Sequence, residues 1–304
     1  MEKKKNTAAS LRAKLKNKAK EKGVEFQNLL VRFGNERLLY RLSRSAYQNS
    51  FLLKGAALFA VWTGEPHRPT KDMDLLAFGK NDIPTLENIF REICALDGED
   101  GLEFLPESIK GAEIRADKIY QGVRLTLLAH LDGARIPLQV DVGFGDAVTP
   151  DAEIETIETI LDLPKPKLKI YPKETVIAEK FEAMVKLGLG NSRMKDFWDI
   201  QFLIKEFSFD GALLQKAIRA TFDRRQTAVP RAVPIALTDT FTKNSETVAD
   251  WKAFIGRGKI TADTDFESVI ASLRSFFMPI IETEAENAEF RKRWKVHTGW
   301  EDQS

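Results

Sequence analysis

Two apolar runs, VRLTLLAHL and RIPLQVDVGFG, are separated only by Asp132-Gly133-Ala134. Asp-Gly between apolar runs is a strong hairpin signal, because the favoured two-residue turns need backbone conformations these residues tolerate. An antiparallel hairpin is therefore predicted at 123–145, and the chain must supply elements to pack on it.

The segments before the hairpin supply both helix and strand. Leu11, Leu15 and Ala19 recur at helical spacing, with Ser10 as the expected N-cap. Phe26, Leu29, Leu30 and Phe33 follow the i, i+3, i+4, i+7 pattern, and Leu38, Leu39 and Leu42 extend the helical region to about Tyr47. The character changes at Phe51. FLLKG reads as a short buried strand ending at Gly55, and AALFAVWTG as a helix closed by Gly64. A polar loop, EPHRPTK, leads to a strand in DMDLLAFG, and DIPTLENIFREICAL has the capping aspartate and early proline of a helix. Pro164-Lys-Pro-Lys reads as a linker. Beyond it ETVIAEKFEAMVKLG, NSRMKDFWDIQFLIKEF and DTDFESVIASLRSFFMPII are helical in pattern, 223–245 reads as loop, and the tail after Glu282 gives no pattern. The order predicts an α+β (mixed α/β) fold: a core at about 46–165 within a first domain of 1–165, and a helical domain at 166–304.

Bulk properties exclude several classes. No apolar run reaches the length of a membrane span, and MEKKKNTAAS is basic without a secretory apolar core. Cys94 is the only cysteine and His67, His130 and His297 the only histidines, with no His-Glu-x-x-His pair. An internal disulfide, a cysteine-built zinc cluster and a histidine-built catalytic metal site are thereby disfavoured, and a cytoplasmic setting is expected. The net charge of +1 conceals an asymmetry: residues 1–44 hold 13 Lys/Arg and 4 Asp/Glu, a balance of +9, leaving −8 for the remainder. Such a basic arm can meet a polyanion such as RNA, or can simply solvate the outer face of an amphipathic helix.

Chemistry concentrates in acidic residues. In a strand, positions i and i+2 face the same way, so Asp72 and Asp74 project together. Adjacent carboxylates repel, which is tolerable where solvent or a divalent cation neutralises them. Asp-x-Asp alone is common at strand starts. Asp141 adds to it, since Leu138, Val140 and Val142 form one face of their strand and Asp141 lies on the other. An acid within an apolar strand is costly unless something binds it, a cation or a core Arg or Lys. The Lys54-Gly55-Ala56-Ala57 turn joins strand to helix with small residues, which serve either close phosphate approach or tight helix–sheet packing.

Rival phosphate motifs fail. Gly258-Lys259 is followed by Ile260 and has Ala253 where a P-loop requires glycine, and Gly143-Phe144-Gly145 has Val148 where a dinucleotide fingerprint requires one. His67, His130 and Cys94 lack any nucleophile arrangement and read as loop, strand and core residues.

The ordered set strand-Gly-small-helix, Arg68-x-Thr70-x-Asp72-x-Asp74 and an isolated strand aspartate resembles the DNA polymerase β-like nucleotidyltransferase superfamily. The blocks LLKGAALFAVW, RPTKDMDLL, LQVDVGFGD, VIAEKFEAMV and NSRMKDFWDI further resemble the AbiEii/AbiGii-type toxin family, over roughly Ser10 to Phe254. The resemblance implies a polymerase β-like core with a mixed sheet, flanked by N-terminal helices and a helical C-terminal domain. It implies that Asp72, Asp74 and Asp141 hold Mg²⁺ or Mn²⁺ against a nucleoside triphosphate, with Lys54, Gly55, Ala56, Arg68, Thr70, Lys180 and Arg193 at the nucleotide and Asp196 as the supporting acid. For Thr70 a turn-capping role stands as an alternative, and for Arg193, Lys195, Asp196 and Asp199 a surface salt-bridge network. One departure is Gly55-Ala56, where many members have Gly-Gly or Gly-Ser, which removes a hydroxyl from the turn.

The function so implied is transfer of NMP from NTP to RNA, at the 3′ end of a tRNA, by a toxin with a cognate antitoxin protein. A protein or small-molecule hydroxyl as acceptor, or a non-catalytic nucleotide- or RNA-binding module, are the competing expectations.

Overall fold

The structure is a computed structural model that describes all residues except Met1, Pro66, Pro69, Asn81, 118–119, 259–264 and Ser304, with the side chains of 2–6 and 115–121 also left aside. Lys259 and Ile260 of the P-loop-like stretch thus lie outside the described residues. The chain divides into two compact units, residues 1–145 with 153–171, and residues 146–152 with 172–304.

The first unit opens with two helices, α1 (Glu2–Glu21) and α2 (Phe26–Arg44). Leu11, Leu15 and Ala19 are buried, as their spacing predicts, but α1 begins at Glu2, so Ser10 lies inside it rather than capping it. Then follow β1 (Phe51–Lys54), α3 (Ala57–Thr63), β2 (Met73–Ala77), α4 (Ile83–Ala95), β3 (Glu103–Asp117), β4 (Tyr120–Leu131), β5 (Ala134–Phe144), β6 (Glu153–Thr156) and β7 (Lys167–Ile170). Gly64 closes α3 with a φ of 84°, its N–H donating to the Ala60 carbonyl. Asp82 caps α4 by accepting from the Thr85 N–H.

Seven strands form one mixed sheet in the order β3-β4-β5-β2-β1-β7-β6. The predicted hairpin is β4–β5, paired from Leu131↔Ala134 out to Gly122↔Gly143. Asp132 and Gly133 take φ of 45° and 75°, the positive pair that a turn matching strand twist demands. The other neighbours of β2 and β1 are parallel: β2 beside β5 and β1 beside β7.

Three strands lack an alternating signal. β3 is an edge strand whose register slips between Leu105 and Lys110, and Pro106 sits in that irregularity, where no ladder N–H is required. β6 is wholly exposed, and β7 falls in the stretch expected as linker: Leu168 and Ile170 are buried, and Ile170 pairs with Leu53. The first unit's sheet therefore extends past 165.

One sheet face carries Leu53, Met73, Leu75, Leu125, Leu138, Val140 and Val142, all buried. Helix α2 lies on it so closely that a Cβ on Gly34 would come within 2.9 Å of Leu138. Phe90 of α4 meets Phe51 edge-on at 5.7 Å. Arg37 and Arg41 of α2 are buried too, converging on the buried Asp100 at 2.7 and 2.8 Å, so part of the N-terminal charge is interior structure rather than a solvated arm. Cys94 is buried, and burial pushes its thiol up to about 12.

The second unit contains α5 (Lys173–Leu187), α6 (Met194–Glu206), β8 (Phe209–Asp210), α7 (Gly211–Arg224), α8 (Asp239–Thr242), α9 (Ser245–Gly258), α10 (Phe266–Ala285), β9 (Lys292–Lys295) and β10 (Gly299–Asp302). Its interior is aromatic: Phe181 stacks on Phe277 at 4.0 Å, and Phe197 on Phe241 at 5.3 Å. The tail that gives no sequence pattern forms a small sheet, β10-β9-β8. There Trp294 and Trp300 donate their indole N–H groups to the carbonyls of Ile204 and Phe276. No described helix is long and apolar enough to cross a membrane.

Candidate active site

The sheet register builds a charged row on the face opposite α2. Lys54 pairs with Asp74, Asp74 with Asp141, and Asp141 with Arg124, four residues at one level on four adjacent strands. Register partners share a face, so the side chains project together. Asp72 stands two residues before Asp74, immediately ahead of β2, and is exposed, whereas Asp74 and Asp141 are half-buried.

The turn after β1 is shaped by Asp74. Gly55 has a φ of 73°, and a Cβ placed there would lie 2.6 Å from the Asp74 Cγ and nearer still to Oδ2. Both the conformation and the space exclude other residues. Ala56 follows, buried, as the residue preceding α3. Lys54 holds its ammonium 5.1 Å from the centre of the Tyr171 ring, a cation–π contact that keeps the charge at the end of the row. Thr70 directs its hydroxyl to the Asp72 carbonyl at 3.4 Å, the local turn contact of its alternative reading. Arg68 is half-buried in the same loop.

Asp141 has the strongest partner. Arg124 donates to both its oxygens, Nε to Oδ1 at 2.8 Å and Nη2 to Oδ2 at 2.7 Å, and Gln139 adds a longer bond at 3.3 Å. These hydrogen bonds, with the charges of Asp141, Asp72 and Asp74 behind them, raise the guanidinium above its ordinary value. Among the described residues no three His, Cys, Asp or Glu side chains are gathered closely enough to hold a metal ion. Asp72, Asp74 and Asp141 are thus not drawn together on one point in the structure. Backbones align, but Asp141 is turned to the arginine directly across the hairpin. The donor set nonetheless suits a hard divalent cation, since aligned carboxylates offer only oxygen and their neutralising partner is itself a cation.

Arg124 is a residue that motif reading misses, yet its position is countable. Pairs across the Asp132-Gly133 turn sum to 265, as 131 + 134 does, and 124 + 141 gives the same sum.

Lys180, Arg193 and Asp196 lie in the second unit, as a separate cluster. The Lys180 ammonium sits between Asp196 at 2.6 Å and Asp199 at 2.8 Å, and Arg193 Nε reaches Asp196 at 2.6 Å. Both carboxylates are buried, Asp196 to 1% exposure and Asp199 to 0%, so of the expected surface network among Arg193, Lys195, Asp196 and Asp199 only Arg193 and Lys195 are exposed; the two acids meet Lys180 in the interior and Arg193 joins Asp196 from the surface. Burial opposes ionisation of Asp196, but Lys180 and Arg193 outweigh it and hold the carboxyl below its usual range. Asp146 is likewise engaged, by Arg225 at 3.1 Å.

With the geometry in place, comparisons add identity. The family model for the AbiEii toxin, a nucleotidyl transferase of type IV toxin–antitoxin systems, matches residues 37–272, well over half of the chain. No curated protein matches the sequence. Among solved structures, JHP933 from Helicobacter pylori is similar at a TM-score of 0.49 and 17% identity, covering 86% of this chain and 95% of that one. A candidate nucleotidyltransferase from H. pylori is similar at the same score and identity, covering 88% and 100%.

Proposed function

This chain belongs to the AbiEii family of nucleotidyl transferase toxins, and from that premise we propose that its first unit binds a divalent cation and an NTP on the charged sheet face and transfers NMP to RNA, at a tRNA 3′ end. Membership makes it a nucleotidyltransferase acting within a type IV toxin–antitoxin system, with a nucleotide substrate and an antitoxin partner. The observation that carries the finer reading is the row Lys54–Asp74–Asp141–Arg124, with the Asp74 carboxylate seated where a side chain at position 55 would be.

In this reading Asp72, Asp74 and Asp141 are the ligands of Mg²⁺ or Mn²⁺. When bound, the cation neutralises phosphate charge and stabilises the attacking and departing oxygens. The chain's own contribution is positioning. Gly55 and Ala56 let the backbone approach a phosphate closely, without the serine hydroxyl that many members carry. Lys54 and Arg68 add positive charge on the same unit, and Thr70 holds the loop leading to Asp72. In the second unit Asp196 holds Lys180 and Arg193 in one ion-paired cluster, and a nucleotide role for Lys180 and Arg193 rests on the family resemblance alone.

The test uses the full chain with Mg²⁺, each labelled NTP and total tRNA, beside an Asp72→Ala, Asp74→Ala double variant and Asp141→Asn. Label on tRNA that vanishes in the double variant supports the reading, and Asp141→Asn is expected to lose at least about a hundredfold in rate while still folding. Label on protein or a small molecule instead would move the acceptor, and full turnover by Asp141→Asn would remove that residue from the site.

A further inference from the structure

We propose that Arg124 is a resident counter-cation of the acidic row, holding Asp141 in the cation-free protein and giving up that carboxylate when a divalent cation binds. The inference deepens the reading above and rests on Asp141 being a cation ligand.

Three observations point to it. First, the guanidinium takes both oxygens of Asp141 at 2.7–2.8 Å and Gln139 lies on Oδ1, so one lone-pair position, on Oδ2, is left to a cation, which there meets the positive charge of Arg124. Second, the two partners are unequal in freedom. Asp141 sits mid-strand with its side chain 18% exposed, while the Arg124 side chain is 43% exposed on a long stem that can turn into water. Third, two more carboxylates accompany Asp141: Asp74 is its register partner, and Asp72 stands just ahead of the same strand. Like charges at that spacing repel, and when no metal is present a nearby cation relieves that repulsion beyond what solvent does. Lys54 stands at the other end of the row, packed over Tyr171, and Arg124 is a cation on its hairpin side. The fork geometry of arginine matches a carboxylate, and its weaker hydration lets it sit there at modest cost.

The consequence is competition. Divalent cation binding competes with an ion pair that is already made, so the apo site is restrained from collecting cations before substrate phosphates arrive to add ligands. A permanent clamp is the contrary case, in which Arg124 never leaves and Asp141 is purely structural.

Mn²⁺ binding to the nucleotide-free full chain, followed by loss of the free-ion paramagnetic resonance signal, separates the two. Arg124→Gln is expected to bind Mn²⁺ on the order of five- to tenfold more tightly than the parent, and Arg124→Lys to fall between them. In an Asp141→Asn background the gain from Arg124→Gln should vanish. Melting provides a second readout. Without metal Arg124→Gln should melt lower than the parent, and Mn²⁺ should raise its Tm by more than it raises the parent's. Unchanged Mn²⁺ affinity in both Arg124 variants overturns the proposal, as does an equal gain in the Asp141→Asn background, which would reflect net charge alone. If the parent's Mn²⁺ binding is indifferent to Asp72→Ala, Asp74→Ala, the site reading falls and the proposal with it. Binding that depends on those acids but not on Arg124 sinks the proposal alone.

Discussion

Gly55 and Lys180 show how single residues hold the two charged clusters. At Gly55 a φ of 73° and the Asp74 carboxylate packed against its Cα leave no room for a methyl group. Gly55→Ala is expected to destabilise by about 1–2 kcal/mol from backbone strain, and to cost transfer activity as well because Asp74 must shift. Thermal melting and the acceptor assay on one preparation read both effects. Lys180 is a different case, since it is the shared partner of two carboxylates that are almost wholly buried. Removing a buried ion-pair partner strands the others, so Lys180→Ala should lower stability by roughly 3–5 kcal/mol in urea unfolding. A stable variant whose only defect is a raised KM for NTP would instead make Lys180 a substrate contact first. Neither consequence is visible in the motifs: the sequence shows which residue types recur, and burial shows what each is worth.

At the scale of elements, α2 is tied to the rest of the first unit by charge as well as by apolar contact. Glu36 accepts the Ile160 N–H at 2.6 Å, and burial pushes its carboxyl up to about 7, against the pull of that hydrogen bond and of Arg37 and Arg32. A carboxyl whose folded pKa is raised binds more protons folded than unfolded. Its contribution is fully present below the unfolded value of about 4.5 and is lost as pH rises through about 7. Glu36→Gln, which keeps an acceptor but cannot ionise, should therefore flatten the fall in Tm between pH 5 and 8. Above pH 7 it should match or exceed the parent, by roughly 1–3 kcal/mol. A parent whose melting is flat across that range would contradict this assignment. The elements themselves were legible to differing degrees. β4 and β5 declare themselves through an Asp-Gly turn and alternating faces. β3, β6 and β7 do not, because two are edge strands that need no second buried face and the third is four residues long.

For the whole molecule, the basic surplus of residues 1–44 is divided between structure and surface. Arg37 and Arg41 are interior, Arg12 reaches the Asp132 carbonyl, Lys18 the Ile160 carbonyl and Lys22 the Glu65 carboxylate. Lys14, Lys16 and Lys20 remain exposed on α1. If RNA is the acceptor, these three are phosphate contacts that α1 can offer. Changing all three to Gln should make the slope of log affinity against log salt shallower by up to about 2, since each phosphate neutralised in single-stranded RNA contributes about 0.7. Filter binding of tRNA over a salt series measures it, and an unchanged slope would place the RNA path elsewhere.

Local chemistry is written in the chain itself. The Asp-Gly turn sets the β4–β5 pairing, parity puts Asp141 on the face opposite Val140 and Val142, and the spacing of Asp72 and Asp74 aligns them. Each of these follows from the two-residue period of a strand, which needs no knowledge of distant segments. What only the assembled sheet decides is who stands beside whom. Bringing β2 between β5 and β1 sets Asp74 against Asp141 and over Gly55, and burying one face of α6 makes Asp196 and Asp199 the interior partners of Lys180. Strand order and burial depend on contacts far apart in sequence, and those are settled by how the apolar faces are covered rather than by any local pattern.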